Sequence, residues 1–202
     1  RDAAGVLAQE RLECVVAPDF SADALDALRA KKDIRLIRLP SLLLAPNEIE
    51  IKTISGGILF QDRDNPTEPP SRRVVTRRPP SELESSAAEL AWTVSKHTMT
   101  HAAVLARPTS TIGIAGGQTT RLDAVRLAVV KSQERHPVLA PAQPVAMASD
   151  GVLGPRHIHE AASAGVSAVI SPGGSSEDRE AIAAADETGV AMIFTGLRHY
   201  RH

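Results

Sequence analysis

Side chains able to do chemistry gather in three short stretches of this chain. Lys96, His97 and His101 stand close together, the two histidines spaced i, i+4. Arg156, His157, His159 and Glu160 follow an Asp150-Gly151 turn-like pair. The last nine residues, "FTGLRHYRH", carry Arg198, His199, Tyr200, Arg201 and His202. Imidazoles titrate near neutrality and suit proton transfer. Four of them, His97, His101, His157 and His159, also make a weak candidate set for a divalent cation. Surface or hydrogen-bonded histidines without chemistry are the third reading, and no metal is expected. A basic chain end is a common site of fraying.

A fourth stretch, "GIAGGQTTR" (113–121), puts glycines and Gln118 between a strand-like run and a helix-like run. Glycines let backbone amides approach a ligand, and a helix N-terminus favours anions. The same pattern also suits a plain tight turn. "SPGGSSED" (171–178) reads as a capped turn, with Ser175 and Asp178 serving the helix start.

Elements that would position these residues alternate between apolar runs and helical periods, which predicts an α/β architecture. Helices are expected over 3–10, 21–32 (Ser21 as N-cap), 81 to about 102 (a Ser81-x-x-Glu84 capping box), 119–133, 159–165 and 175–189. The 81–102 helix would place His97 and His101 on one face. Strands are expected over 12–18, 34–40, 48–54, 56–61, 73–76, 103–106, 111–116, 144–150, 166–172 and 190–194. Residues 62–80 are rich in proline and charge and read as an exposed loop. Its arginines lack interleaved aromatics, so they read as solvated and not as a nucleic-acid patch. Residues 15–37 echo 169–193: strand, Pro, Ser-containing turn, Ala-rich helix, strand. That points to a duplicated unit.

Composition sets limits. Hydrophobic residues are 43 %, enough for a core, but aromatics are 2 %, so the core is built from Val, Ile, Leu and Ala. Few aromatics and a net charge of −1 argue against RNA, single strands and anionic lipid as partners. Cys14 is the single cysteine, which excludes an internal disulfide. Its apolar neighbours predict a buried thiol, suited to a reducing cytoplasm. No apolar run nears the roughly 20 residues of a membrane span, and no signal peptide is visible. The chain begins Arg1-Asp2, which reads as a fragment or a processed form.

Several stretches together carry a family likeness: "GGILFQDRD" (56–64), "VVTRRPP" (74–80), "AW" (91–92), "TIGIAGGQTTRLDAVRLA" (111–128), "AMASD" (146–150) and 164–202 to the chain end. In order and over nearly the whole chain, they resemble the C-terminal part of AICAR transformylase, the folate-dependent formyltransferase half of the bifunctional purine biosynthesis protein. The resemblance implies a cytidine-deaminase-like three-layer α/β fold, duplicated in the transformylase. Residues 1–80 would be a remnant of the first repeat with connecting strands and loop, and 81–202 the core of the second. It implies a homodimer, or a hetero-oligomer with a second chain bearing the first repeat. It implies transfer of a formyl group from 10-formyltetrahydrofolate to the 5-amine of AICAR, an ordered chain end, and a cytoplasmic enzyme.

Matched residue by residue, Arg198 would bind the AICAR phosphate. Arg121 would contact the nucleotide, with Gly116, Gly117, Gln118 and Thr120 as its neighbours. Asp150, Val152 and Arg156 would belong to the folate side. The family's "KHxNPCG"-like Lys-His motif for proton transfer does not occur in these residues. Its Lys-Ser-Asn becomes Met99-Thr100-His101, and its "SDAFFPFRD" becomes "SDGVLGPRH" (149–157), so His101 and His157 stand where an asparagine and an aspartate are usual. In the family the two segments approach one cleft. His101, His157 and Lys96 are therefore candidate catalytic groups in place of the missing pair. Two alternatives stand beside the transferase: a repurposed homologue using histidines on a similar nucleotide, and a non-catalytic nucleotide-binding subunit.

Overall fold

A computed structural model describes residues 2–41, 49–64, 71–135 and 143–201. Glu48, the 65–70 part of the charged loop and His202 lie outside the described residues. The chain divides into two compact units, 1–65 and 66–202.

The first unit starts with α1 (Asp2–Leu7), β1 (Cys14–Ala17), α2 (Ala22–Leu28) and β2 (Arg35–Arg38). Ser21 caps α2 as expected, accepting from the Ala24 N–H at 3.3 Å. β1 and β2 pair in parallel, Val15 opposite Leu36, which makes a strand–helix–strand unit. β3 (Ile49–Ile54) and β4 (Gly57–Asp62) form an antiparallel hairpin. Its turn holds Gly56 at φ 80, where a side chain would be strained. Burial in this unit is slight: Leu28 and Ala4 are buried. Cys14, expected inside, is exposed. It lies on a two-stranded sheet with no layer of described residues over that side.

The second unit comprises β5 (Arg73–Val74), α3 (Glu82–Lys96), β6 (Ala103–Arg107), β7 (Ser110–Ala115), α4 (Arg121–Arg135), β8 (Val145–Ser149), α5 (Pro155–Ser163), β9 (Val166–Ser171), α6 (Asp178–Thr188) and β10 (Ala191–Phe194). Six strands make one mixed sheet in the order β5-β10-β9-β8-β6-β7. β8, β9 and β10 run parallel, β6 is antiparallel to β8 and to β7, and β5 is antiparallel to β10. The central strands β8 and β9 are apolar along almost their whole length, as strands covered on both faces must be. The second unit takes in residues 66–80 as well, where β5 pairs with β10 and Arg78 donates to Ser167 C=O.

α3 covers one face. It presents Ala87, Ala88, Ala91 and Trp92 to Val104, Ala146, Ala148, Ala168, Ile170 and Ala191. Small residues on both sides let helix and sheet approach closely, which is how a core poor in aromatics reaches native density. α4, α5 and α6 cover the other face around larger groups: Leu105, Met147, Leu153, Ile158, Met192 and Phe194. The echo seen in sequence is real in three dimensions: β9-α6-β10 is a parallel strand–helix–strand like β1-α2-β2. Gly189 ends α6 in the left-handed conformation, φ 72.

Several helices are shorter or shifted: α1 ends at Leu7, α2 at Leu28 and α6 starts at Asp178, and the ends of α3 and α5 bear on the site. α3 stops at Lys96, so His97 and His101 do not share a helical face. The chain beyond it is drawn into other bonds: Met99 C=O accepts from Gly117 N–H at 2.8 Å, and Thr100 N–H donates to Arg201 C=O at 2.9 Å. α5 starts earlier, at Pro155, which fits the first helical turn where no N–H is needed.

The start of α3 is clamped. Ser81 and Glu84 form a reciprocal capping box. The buried Glu84 carboxylate takes both Arg78 guanidinium nitrogens at 2.8 and 2.9 Å, while Arg78 also donates to Ser167 C=O. Burial alone would raise the Glu84 pKa. Arg78 and the Ser81 N–H outweigh it and hold the group at about 2, from an ordinary 4.5. A depressed carboxyl pKa stabilises the fold above about 4.5 and loses that contribution as pH falls toward about 2. Glu84→Gln should therefore destabilise the second unit by about 1–2 kcal/mol at neutral pH. In urea unfolding the gap to the parent should close as pH drops through that window; a gap independent of pH would contradict the assignment.

Candidate functional site

Parallel strands deliver their C-terminal ends to one edge of a sheet, and in this sheet those ends carry Asp150 after β8, Ser171 closing β9 and Thr195 after β10. Antiparallel pairing brings the start of β6 and the end of β7 to the same edge, Ala103 opposite both Ser149 and Ala115. His101 therefore precedes β6 there, and Gly116-Gly117-Gln118 follow β7 there. α4 begins at the same place. Such an edge is where open α/β sheets bind ligands.

Asp150 is the centre of it. Its side chain is fully buried. Oδ1 accepts the Ala102 N–H at 3.1 Å and lies 3.9 Å from Arg121 Nε. Arg121 Nη2 is 3.0 Å from His101 Nδ1. The guanidinium packs closely against Gly151: a Cβ there would overlap Arg121 Nη2 and Cζ. Three buried polar atoms at this edge have no hydrogen-bond partner: Arg121 Nε, Asp150 Oδ2 and Ser171 Oγ. Unsatisfied buried groups are costly and concentrate where ligands bind.

The glycine loop packs under this group. His101 and Gln118 exchange backbone hydrogen bonds at 3.5 Å. Gly117 adopts φ 66, and Gly116 packs against Thr98 and Met99. The Gln118 amide turns back onto Gly116 C=O at 2.9 Å. Thr120 caps α4, its Oγ1 accepting the Asp123 N–H at 3.1 Å.

Residues 199–201 are held against this edge. His199 N–H donates to Asp150 C=O at 3.1 Å, and the His199 ring, 2 % exposed, packs on Trp92 with centroids 4.6 Å apart. Arg201 N–H donates to Thr100 Oγ1 at 3.0 Å, and its Nη1 reaches His97 C=O at 3.3 Å. Arg198 lines a groove of about 430 Å³ with Ser71, Arg73, Gly173, Gly174 and Phe194. Arg121 is not among the residues lining that groove; it packs against Gly151, while Arg198 precedes His199, whose N–H bonds Asp150 C=O.

A separate groove of about 400 Å³ lies at the start of α5, lined by Pro155, Arg156, His157, Glu177 and Glu180. His157 Nδ1 takes the Gly154 N–H at 2.9 Å and so caps its own helix. Burial pushes the His157 pKa down; the Gly154 carbonyl and Glu177 oppose this, while the Arg121 and Arg156 charges reinforce it. Val152 is half-buried beside these residues. Lys96 is half-buried in the last turn of α3.

The four histidines do not meet. His97 is the C-cap of α3, His159 is exposed on α5, and Glu160 pairs with Arg126 at 3.1 Å. Among the described residues no group of three or more His, Cys, Asp or Glu is placed to hold a metal ion. No helix among them is long and apolar enough to cross a membrane. Sequence reasoning missed Gly151, Thr100 and the Trp92–His199 contact. Gly151 alone left a trace, a glycine where the family motif has alanine.

Comparison with known proteins places this geometry. Residues 1–131 match the family model described as AICARFT/IMPCHase bienzyme. The bifunctional purine biosynthesis protein PurH of Sorangium cellulosum is 45 % identical over 206 residues, covering 100 % of this chain and 38 % of that protein. PurH of Magnetococcus marinus is 42 % identical over 97 % of this chain, and PurH of Bacillus subtilis 39 % over 95 %. This chain belongs to the AICARFT/IMPCHase bienzyme family. It spans 36 to 38 % of the length of these three relatives. For an AICARFT/IMPCHase homologue, the candidate site is then the His101–Arg121–Asp150 edge together with the Arg198 groove.

Gly151→Ala tests how tightly that edge is built. The added methyl pushes the Arg121 guanidinium away from the buried Asp150, so the second unit should lose about 1–3 kcal/mol. Arg121 should lose His101, seen as altered His101 ring resonances in NMR spectra. Unchanged resonances together with unchanged stability would show that Arg121 does not lie where the structure puts it.

Proposed function

We infer that this chain supplies the nucleotide-binding half of an AICAR formyltransferase site in purine biosynthesis. The reading is carried by one observation: in a member of the AICARFT/IMPCHase family, the chain end, the glycine loop and the Asp150-Gly151 turn converge on one sheet edge where Arg121 Nε and Asp150 Oδ2 are buried without partners. The AICAR phosphate would sit in the groove at Arg198, with Arg73 adding charge. The imidazole carboxamide would lie toward Arg121 and His101. The second unit would be a cytidine-deaminase-like repeat and the first unit the end of a preceding one.

The groove at α5 fits the one-carbon donor in kind. Glu177 and Glu180 offer acceptors to a donor-rich pterin edge, and Arg156 offers a partner for a carboxylate tail. 10-Formyltetrahydrofolate would supply the formyl group when bound. Asp150 does not belong to that groove's lining; its carboxylate is committed to Ala102 and Arg121. His157 would serve as a helix cap, its Nδ1 already engaged. Proton transfer would fall to groups outside these 202 residues, whether on the same polypeptide, on a second copy of it or on a partner chain. This favours the transferase over the reading in which the histidines of this chain run a different reaction.

Calorimetric titration with AICAR monophosphate tests the reading. The chain should bind it, Arg198→Ala and Arg121→Ala should each weaken binding about 10- to 100-fold, and high salt should weaken it further. No binding by the parent chain, or parent-like binding by both variants, would remove the nucleotide from this edge.

A further inference from the structure

The contact between Arg121 and His101 fixes more than position. A guanidinium has five N–H donors and no acceptor, and it stays protonated. Its Nη2 stands 3.0 Å from His101 Nδ1, so that nitrogen must be the acceptor and carry no proton. The remaining proton of the neutral ring is then on Nε2. Two features hold the guanidinium in this pose. Asp150 Oδ1 lies 3.9 Å from Arg121 Nε, and the missing side chain at Gly151 leaves the space the group occupies. The same Oδ1 accepts the N–H of Ala102, the residue after His101. One buried carboxylate thus anchors both partners of the contact.

We propose that Asp150 and Arg121 are positioning residues that lock His101 in its Nε2–H tautomer, making His101 a hydrogen-bond donor that selects a ligand with an acceptor atom. A locked donor of this kind cannot act as a general base, because its one lone pair is already engaged by Arg121. It donates to a carbonyl oxygen, a phosphate oxygen or an unprotonated ring nitrogen, and it rejects an ammonium or an amide N–H at the same place, since two donors would face each other. What the donor meets rests on the nucleotide reading above; the tautomer itself does not.

Long-range proton–nitrogen NMR on the 15N-labelled 202-residue chain, without ligand and above the ordinary histidine range, reads the tautomer directly. Signals are assigned to His101 by their loss in His101→Gln. The parent should show Nε2 protonated and Nδ1 bare. Arg121→Ala and Asp150→Asn should each release the ring into a mixture of both tautomers, with circular dichroism confirming the fold. Should Asp150→Asn fail to fold, Arg121→Ala decides alone, since Arg121 sits at the start of α4 and outside the core. A parent ring protonated on Nδ1, or a tautomer unchanged in Arg121→Ala, would overturn the proposal. A folded Asp150→Asn with a parent-like ring would remove Asp150 from it. Because no nucleotide is added, a failed calorimetric titration and a failed tautomer result are separate outcomes.

Discussion

A single buried carboxylate organises the working edge of this protein. Burying Asp150 completely is expensive unless its charge and lone pairs are met. They are met in part by segments far apart in sequence: the Ala102 N–H at the start of β6 and the Arg121 guanidinium at the start of α4. The backbone carbonyl of the same residue takes the N–H of His199, almost at the chain end. Without Asp150 these segments would have no common partner. The carboxylate is only partly satisfied, since Oδ2 is left over. A half-met buried charge beside an arginine is a local cost that a polar ligand group would relieve.

Sheet topology explains why the segments can reach Asp150 at all. β8, β9 and β10 point the same way, so the loops after them share an edge. β6 enters from that edge and β7 returns to it. The small-residue interface between α3 and the sheet keeps Trp92 close enough to pack against the His199 ring. Two residues on, the Arg201 N–H bonds Thr100 Oγ1, next to His101. Packing on one face of the sheet therefore sets the position of polar groups at its edge.

Much of this was legible in the residues. Apolar runs with turn signals between them placed the strands of the second unit to within a few residues, and the Ser81–Glu84 box marked the start of α3. The repeat of strand, helix and strand was visible because it is a pattern of composition. The end of α3 was not visible: Lys96-His97-Thr98 contains no glycine or proline, and the helix stops because the next residues find partners on β7's loop and on the chain end. Cys14 was misjudged because an apolar run says that a strand exists, not that a second layer covers it. The arginines of the site came from the family likeness. The contacts that give them meaning, Arg121 on Gly151 and His199 on Trp92, join positions 30 or more residues apart and carry no local signature.

The central claim is that one nucleotide spans the Asp150-Gly151 turn, phosphate toward Arg198 and base toward Arg121. A crystal structure of the chain with AICAR monophosphate decides it. The account predicts density for the phosphate against the Arg198 guanidinium, and an acceptor atom of the base within hydrogen-bond distance of His101 Nε2. A nucleotide bound elsewhere, or touching neither arginine, would contradict it.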